Sequence, residues 1–231
     1  MQQNPQKPLR EYVENIMVAL FLALCVRTFI LTGYKVPTTS MAPNLKPGDF
    51  IFSYRLPFGV KVPFMTTKVA GQLPQRGEIV VFTFPDIPKV NYVKRVVGLP
   101  GDRIELRNGR LIVNNLSFQY EKLSSEILGD LEGSENQILL QESNRSESRS
   151  IILQKRDSEK SFGPIIVPEN EVFLLGDNRD SSDDSRYWGT VPANRLEGRV
   201  VLIWLSLNWQ KKWLFQSLPE VRWERVFSKV H

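Results

Sequence analysis

A tight β-hairpin is encoded by the residues Arg103-Ile104-Glu105-Leu106-Arg107-Asn108-Gly109-Arg110-Leu111-Ile112-Val113. Asn-Gly between two apolar-rich runs favours a two-residue type I′ turn. Other short runs rich in Val, Ile and Phe are Asp49 to Tyr54, Glu78 to Phe84, Tyr92 to Val97, Glu171 to Leu175 and Gly198 to Leu207. Gly, Pro and Asn separate them, without a βαβ rhythm. The sequence therefore predicts a mainly β fold, an antiparallel barrel-like or sandwich domain.

Composition limits the classes of protein that this chain can belong to. Its 231 residues include 42% hydrophobic residues, five Trp and thirteen Phe, enough for a substantial core. A net charge of +5 suits an anionic membrane surface as well as nucleic acid and demands neither. The only cysteine is Cys25 and the only histidine is His231, which excludes a disulfide framework and Cys- or His-based metal sites. We predict no metal and no cofactor.

An apolar segment near the amino terminus predicts a transmembrane helix over residues 13–31. Residues 16–26 form an uninterrupted apolar run, and nineteen helical residues would span about 28 Å. A cleaved signal peptide is one alternative, because Lys7 and Arg10 precede the run. A buried helix of a soluble protein is another.

The anchor divides the chain into three predicted parts. Residues 1–12 form a short amino-terminal segment, residues 13–31 the anchor, and residues 32–231 a β domain. Residues 117–163 are rich in Ser, Glu and Arg with little periodicity, and predict a polar, lid-like insertion that is partly mobile.

Ser40 is a candidate nucleophile in a chain without a usable histidine base. It lies in Val36-Pro37-Thr38-Thr39-Ser40-Met41-Ala42-Pro43, a few residues beyond the apolar segment. Lys94 is a candidate base, since strand alternation places it on the same face as Tyr92 and Val96. Burial lowers the pKa of a lysine, so a buried Lys94 could be neutral near pH 7. Alternation alone equally allows a lysine that reaches solvent at a sheet edge. Arg95, on the opposite face, predicts a structural ion pair.

Two polar motifs follow the strand that carries Lys94. One is Gly98-Leu99-Pro100-Gly101-Asp102, and the other runs from Gly176 to Gly189 and is rich in Asp, Ser and Arg. The second motif lacks the Gly and the closing Glu of a calcium-binding EF-hand loop. Carboxylate pairs with Arg179 and Arg186 predict a tight, rigid loop, and a solvated charged turn is the alternative.

With these motifs in this order, the chain resembles the bacterial type I signal peptidases, the leader peptidase family that uses a Ser-Lys dyad. The resemblance implies a membrane-anchored endopeptidase that removes signal peptides from exported preproteins. It covers the anchor, the Ser40 segment, Gly48-Asp49, residues 94–102 and residues 176–189. It fades over residues 117–163 and after Leu207.

The resemblance implies a role for each matching residue. The nucleophile maps onto Ser40 and the general base onto Lys94. The oxyanion hole maps onto the Ser40 N–H and the Thr38 hydroxyl, and the serine that orients the lysine maps onto Ser182. Thr39 stands where relatives often have Gly. The residues that would support the site structurally are Asp177, Arg179, Asp184 and Arg186. The residues that would line the substrate pockets are Tyr34, Val36, Leu45 and Val93.

The resemblance also implies substrate, location and partners. Shallow apolar pockets favour Ala or other small residues one and three positions before the cut, in a peptide bound as an added strand. The enzyme would be a single-pass protein of the inner (plasma) membrane, with a cytoplasmic amino terminus, a catalytic domain on the exported side and, we expect, a monomeric state. An internal membrane such as the thylakoid is an alternative host.

Aromatic and basic residues alternate towards the carboxyl terminus. They are Trp204, Trp209, Lys211, Lys212, Trp213, Phe215, Arg222, Trp223 and Arg225. This pattern is typical of the membrane interface and predicts contacts of Trp209 and Trp213 with membrane lipids, whereas Trp204 fits core packing. With an anchor present we predict no nucleic-acid binding.

Three other classes of function would require different sequence features from those of a peptidase. A self-cleaving Ser-Lys regulator would need a DNA-binding helical domain where this chain has an apolar segment. A penicillin-binding enzyme would need Ser-x-x-Lys, but the third residue after Ser40 is Pro43. A non-catalytic membrane scaffold would not need both Ser40 and Lys94.

Overall fold

The computed structural model describes residues 9–25, 27, 30–61, 68–69, 71–85, 87, 89–124, 128, 134–144, 147–155, 161–213 and 218–230. Predictions for residues 1–8, Phe215, His231 and parts of the segments 13–31 and 117–163 fall outside these ranges, as does the side chain of Trp213.

Helix α1 spans Leu9–Cys25 and overlaps the predicted anchor. Its large apolar side chains, such as Met17 and Phe21, are 52–65% exposed. The chain turns to strand at Leu31, where we predicted the helical segment to end. Within the described residues, no helix has both the length and the apolar character needed to cross a bilayer. The second helix, α2, is a single turn over Ser185–Trp188.

The strands, numbered along the chain, are β1 (Leu31–Lys35), β2 (Asp49–Tyr54), β3 (Val60–Lys61), β4 (Lys68–Val69), β5 (Ile79–Thr83), β6 (Asn91–Gly98), β7 (Arg103–Arg107), β8 (Arg110–Val113), β9 (Leu116–Ser117), β10 (Gln119–Lys122), β11 (Gln137–Ser143), β12 (Ser148–Gln154), β13 (Phe162–Ile166), β14 (Glu171–Leu175), β15 (Val191–Pro192), β16 (Leu196–Trp213), β17 (Leu218–Val221) and β18 (Ser228–Lys229). Their antiparallel pairing confirms the mainly β prediction.

The main sheet is curled and antiparallel, in the order β1-β2-β16-β5-β6-β14-β15. Its longest strand, β16, has 18 residues and pairs with β2, β5, β17 and β18. Its register shifts several times, as between Val200 and Leu202. Such bulges bend a strand and increase its twist, which lets β16 follow the curvature of the sheet.

The predicted hairpin forms β7 and β8 of a second sheet, ordered β13-β7-β8-β9. Asn108 and Gly109 have φ of 50° and 72°, the left-handed values that a type I′ turn requires. The segment 117–163 differs from the irregular lid that we predicted. Its described residues include a three-stranded sheet, β10-β11-β12, with Leu139 and Ile151 buried.

Strand β6 contributes to three hydrophobic clusters, because the curled sheet covers it on both faces. Val96 packs with Phe82 and Leu174, Val97 joins a second cluster, and Val93 packs against a third. Burying such a side chain contributes about 1.5–3 kcal/mol. The strand that carries Lys94 is therefore held rigidly from several sides.

Candidate active site

Ser40 lies in a compact loop between β1 and β2. The loop begins and ends with paired backbone hydrogen bonds, from Val36 N to Asp49 O (2.8 Å) and from Gly48 N to Val36 O (2.9 Å). Inside it, Ala42 N donates to Thr39 O (2.9 Å). Met41, Ala42 and Leu45 are fully buried, which anchors the apolar side of the loop. Ser40 itself remains partly exposed.

The Asp49 carboxylate stabilises the carboxyl-terminal end of this loop. It is fully buried and accepts hydrogen bonds from Lys46 N (2.8 Å), Ser206 Oγ (2.6 Å) and the Arg225 guanidinium (2.6 Å). Arg222 donates to Pro47 O and Ser206 Oγ. The prediction that Arg222 and Arg225 face membrane lipid is wrong, because both guanidinium groups bind inside the protein.

Two of the tryptophans lie as their sequence context suggested. Trp204 is half-buried against Phe50 and Phe52, with ring centroids 5.6 and 5.7 Å away. Trp209 is 55% exposed, and Lys35 Nζ lies 5.0 Å from the centroid of its ring. Trp209 therefore offers an exposed aromatic surface beside a cation.

Lys94 and Ser40 lie in contact although they are 54 positions apart. Lys94 Nζ is 2.9 Å from Ser40 Oγ, and the lysine is only 4% exposed. Thr38 Oγ1 lies 3.2 Å from the same Ser40 oxygen, on the open side of the loop. The Tyr92 ring, two residues before Lys94, has its centroid 6.0 Å from Nζ. Strand alternation thus placed Lys94 and Tyr92 on one face, as predicted.

The surroundings of Lys94 favour its neutral amine. Burial lowers the pKa of Lys94 to about 8. The carboxylates of Asp184, Asp183 and Asp177 act in the opposite direction and raise this pKa, and the Arg186 guanidinium lowers it. Burial wins because the ammonium loses its hydration, while the Asp177 and Asp184 carboxylates bind Arg95 and Arg186. A substantial neutral fraction near pH 8 makes Lys94 a competent proton acceptor.

The polar motif from Gly176 onward holds the Ser40 loop in place. Asn178 N donates to the Ser40 carbonyl (3.1 Å), and its side-chain amide donates to Thr39 O (3.3 Å). Asn178 lies in a motif that sequence analysis had identified, but nothing in the sequence revealed its partners. They are backbone atoms almost 140 positions away.

Gly176 allows this motif to approach Ser40 closely. A Cβ on residue 176 would collide with the Ser182 side chain and lie 2.6 Å from Ser40 O. Ser182 is 5% exposed, next to the Ser40 loop. Its hydroxyl has no hydrogen-bond partner among the described residues, so the predicted bond that would orient Lys94 is not formed in this structure.

Buried ion pairs stiffen the walls around the two residues. Asp177 forms a two-pronged pair with Arg95, at 2.7 and 2.8 Å, and also accepts from Asn44 Nδ2 (2.8 Å). Asp184 pairs likewise with Arg186, at 2.7 and 2.9 Å. Arg95, Asp177 and Asp184 are at most 2% exposed. The structure thus gives Arg95, Asp177, Asp184 and Arg186 the ion-pair contacts expected of supporting residues.

Arg179 was predicted to pair with a carboxylate of its own loop, but it pairs with one on another element. Its guanidinium binds Glu142 Oε2 (2.6 Å), a buried carboxylate on β11. Sequence analysis missed Glu142 because it lies in a segment read as a solvated insertion.

A cleft of about 350 Å³ opens at Ser40 and Lys94. Tyr34, Val36 and Val93 line it, as predicted for a substrate pocket. Leu45 does not line it. It is fully buried in the hydrophobic cluster beneath, packed with Val36. The sequence could not separate the two positions, since both are apolar residues of one loop.

Comparison with known proteins identifies the family of this chain. The family model described as Signal peptidase, peptidase S26 matches residues 9–205. Signal peptidase I of Pseudomonas aeruginosa is 34% identical over 219 residues, 88% of this chain and 75% of that protein. Signal peptidase I of Buchnera aphidicola subsp. Baizongia pistaciae is 38% identical over 229 residues, 81% and 74% of the two chains.

A crystal structure of a signal peptidase I from Enterococcus faecalis V583 is 31% identical in sequence, with a TM-score of 0.34 over 55% of this chain and 97% of that one. The family model alone covers most of the chain. The chain therefore belongs to the signal peptidase family, peptidase S26, and is a serine peptidase.

Proposed function

We propose that this chain is a membrane-anchored endopeptidase that cleaves signal peptides from exported preproteins, using Ser40 and Lys94 as a catalytic dyad. One observation carries the proposal: a buried amine, with its pKa lowered to about 8, lies 2.9 Å from a serine hydroxyl at the edge of an open cleft. Relatives named Signal peptidase I support the choice of substrate.

In the first step, neutral Lys94 accepts the Ser40 proton as Oγ attacks the carbonyl carbon of the scissile peptide. The resulting oxyanion receives hydrogen bonds from the Ser40 N–H and the Thr38 hydroxyl. The closeness of Thr38 Oγ1 to Ser40 Oγ, 3.2 Å, supports this role. Such donors act most strongly where charge develops in the transition state.

In the second step, the C–N bond breaks and the Lys94 ammonium protonates the departing amine. Lys94, neutral again, then takes a proton from water as the water attacks the Ser40 ester. The bond between the acyl carbon and Ser40 Oγ then breaks, Lys94 returns the proton to that oxygen, and the signal peptide leaves with a new carboxyl group. Asp177, Arg179, Asp184 and Arg186 support this arrangement through their ion pairs.

The substrate would bind as an extended strand. β1 is an edge strand of the main sheet. β14 pairs with β6 only from Arg95 onward. The backbone groups of residues 91–93 that lie on this side of β6 therefore face the cleft. A peptide between these edges gains main-chain hydrogen bonds, and its alternate side chains enter the pockets. Tyr34, Val36 and Val93 leave room only for small side chains such as Ala.

Anchoring by the amino-terminal segment is part of the proposal. Exposed apolar side chains along α1 favour a lipid environment over water. Trp209 and its neighbour Lys35 suit the lipid interface. We propose a cytoplasmic amino terminus, with the cleft on the exported side of the membrane. We also propose that the enzyme acts as a monomer.

Incubation of the purified full chain, in detergent or lipid, with a preprotein tests the function. We expect one cut after an Ala-x-Ala sequence, read by mass spectrometry of both products. A bulky residue in place of the Ala before the cut should prevent cleavage. An intact preprotein, with the enzyme folded and inserted, would favour a non-catalytic scaffold instead.

The rate of cleavage should depend on pH through Lys94. Only the neutral amine accepts a proton, so kcat/KM should rise as pH increases and level off above the Lys94 pKa of about 8. Below that pH the rate should fall roughly tenfold per pH unit. Steady-state kinetics between about pH 6 and pH 9 measures the profile. A flat profile would exclude an amine as the base.

Asp183 should set part of this pKa. It is exposed at the cleft, and its carboxylate raises the pKa of Lys94. Asp183→Asn removes that charge, so the midpoint of the pH profile should move to lower pH. Glu121→Gln removes a carboxylate from the exposed strand β10 and should leave the midpoint in place. Equal midpoints for both variants would contradict the assignment.

A further inference from the structure

Glu142 lies on β11, in the sheet formed by β10, β11 and β12, which we call the inserted sheet. Its carboxylate is buried at the centre of a charged cluster. It is fully buried and binds three groups: Arg149 Nε (2.5 Å), Arg179 Nη2 (2.6 Å) and the Tyr120 hydroxyl (2.6 Å). Burial alone would raise the pKa of Glu142, but the two guanidinium groups lower it to about 2. The side chain is therefore a negative charge at neutral pH.

A chain of contacts runs from Glu142 to the surroundings of Lys94. The Arg179 guanidinium binds Glu142, and the Arg179 carbonyl accepts a hydrogen bond from Arg186 Nη2. Arg186 pairs with Asp184, whose carboxylate also accepts the Gly176 N–H (3.0 Å). Asp184 is the carboxylate with the largest effect on the pKa of Lys94.

The inserted sheet holds the same loop at two other points. Ile152 N donates to Asp177 O (2.9 Å), and Gln154 N donates to the Asp180 carboxylate (2.7 Å). Ile152 also packs with Leu139 against Ala42, two residues after Ser40. The sheet formed by β10, β11 and β12 is thus fixed to both segments that build the cleft.

We propose that Glu142 is a positioning residue for the reaction, which acts through Arg179 to hold the loop 176–186 against Lys94. The inference rests on the proposed dyad of Ser40 and Lys94. Glu142 touches neither substrate nor reacting atoms.

The physical basis is the cost of an unpaired buried charge. Arg179 is only 2% exposed. Without the Glu142 carboxylate, its guanidinium would be a buried charge without its ionic partner. The loop 176–186 would therefore move to let water reach the guanidinium. The loop supplies the charges that face Lys94: Asp177, Asp183, Asp184 and Arg186. From other elements, the Tyr92 ring and the Ser40 hydroxyl face it. A shift of the loop would alter both the distance between Lys94 and Ser40 and the electrostatic effect of these charges on Lys94.

The test compares Glu142→Gln with two matched controls in the full chain. Glu147→Gln removes another carboxylate that binds Arg149 (2.8 Å), and Tyr120→Phe removes a hydrogen bond to Glu142. Among the described residues, neither control side chain forms a hydrogen bond or an ion pair with the Arg179 guanidinium, which binds Glu142. Because a displacement of about 1 Å can cost about 100-fold in rate, we expect Glu142→Gln to lower kcat about 10- to 100-fold.

Two readouts separate positioning from a loss of stability. KM should stay within about threefold of wild type, because Tyr34, Val36 and Val93, the proposed substrate-pocket residues, lie outside the loop 176–186. The midpoint of the pH profile should move to lower pH, as the loop carboxylates withdraw from Lys94. Both controls should keep the wild-type kcat and midpoint. A folded Glu142→Gln with wild-type kcat and midpoint would overturn the inference.

Glu142→Asp keeps the test decisive if the Gln variant does not fold. It retains the charge on a side chain one methylene shorter, so the loop should be displaced less and kcat should fall about 3- to 10-fold, with the same direction of midpoint shift. Wild-type kinetics in folded Glu142→Asp would refute the inference. Ser40→Ala in parallel tests the dyad, since activity in that variant would reject the proposed function itself.

Discussion

Lys94→Ala should lose cleavage activity by at least about 1000-fold in kcat, because it removes the amine that we propose takes the proton from Ser40. The chain has one histidine, at its last position, and the described groups nearest to Ser40 Oγ are Lys94 and Thr38. A threonine hydroxyl is a far weaker base than a neutral amine. Cleavage of a preprotein, followed by gel and mass spectrometry, measures the loss.

Ser40→Ala should be equally inactive, since no covalent intermediate can form. The matched control is Lys122→Ala, which removes an exposed lysine from β10 and should leave kcat unchanged. Membrane insertion should be the same in all three variants. Full activity of Lys94→Ala at neutral pH would reject the dyad and would require another proton acceptor.

Asp177→Ala should cause the largest loss of stability. The variant leaves the Arg95 guanidinium, 2% exposed, without the carboxylate that binds it at 2.7 and 2.8 Å. Breaking a buried ion pair from one side costs about 3–5 kcal/mol, a large part of the stability of a typical domain. It also removes the acceptor of Asn44, four residues after Ser40. Denaturant unfolding of the full chain measures the free energy.

Arg107→Ala is the control for this prediction. Arg107 also binds a carboxylate, Glu105, but its side chain is 66% exposed. An exposed pair contributes at most about 1 kcal/mol, so this variant should unfold almost as the wild type does. Similar free energies of unfolding for Asp177→Ala and Arg107→Ala would show that the Arg95 pair adds nothing beyond a surface pair.

Local sequence patterns predicted the parts of the fold that depend on neighbours in the chain. The observed bounds of β2, β8 and β14 are those read from the sequence, because alternation and turn residues mark both ends of each strand. Alternation along β6 also placed Lys94 beside Tyr92. These features need no knowledge of distant contacts.

Other features depend on contacts that no local pattern contains. The strands β10, β11 and β12 are polar on their exposed faces, which made this segment read as solvated. Its buried side chains, such as Leu139 and Glu142, contact residues that are distant in sequence, Ala42 and Arg179 among them. Arg179 likewise binds across 37 positions rather than within its own loop.

The hydrogen bonds between Asn178 and the Ser40 loop set an order of events during synthesis. Asn178 binds the Thr39 carbonyl across 139 positions, so the ribosome adds it about 7 to 28 s after Thr39. Throughout that interval the nascent chain carries its serine but not the loop that completes the cleft. If the proposed dyad is right, proteolytic activity is therefore gained late, when most of the β domain has been synthesised.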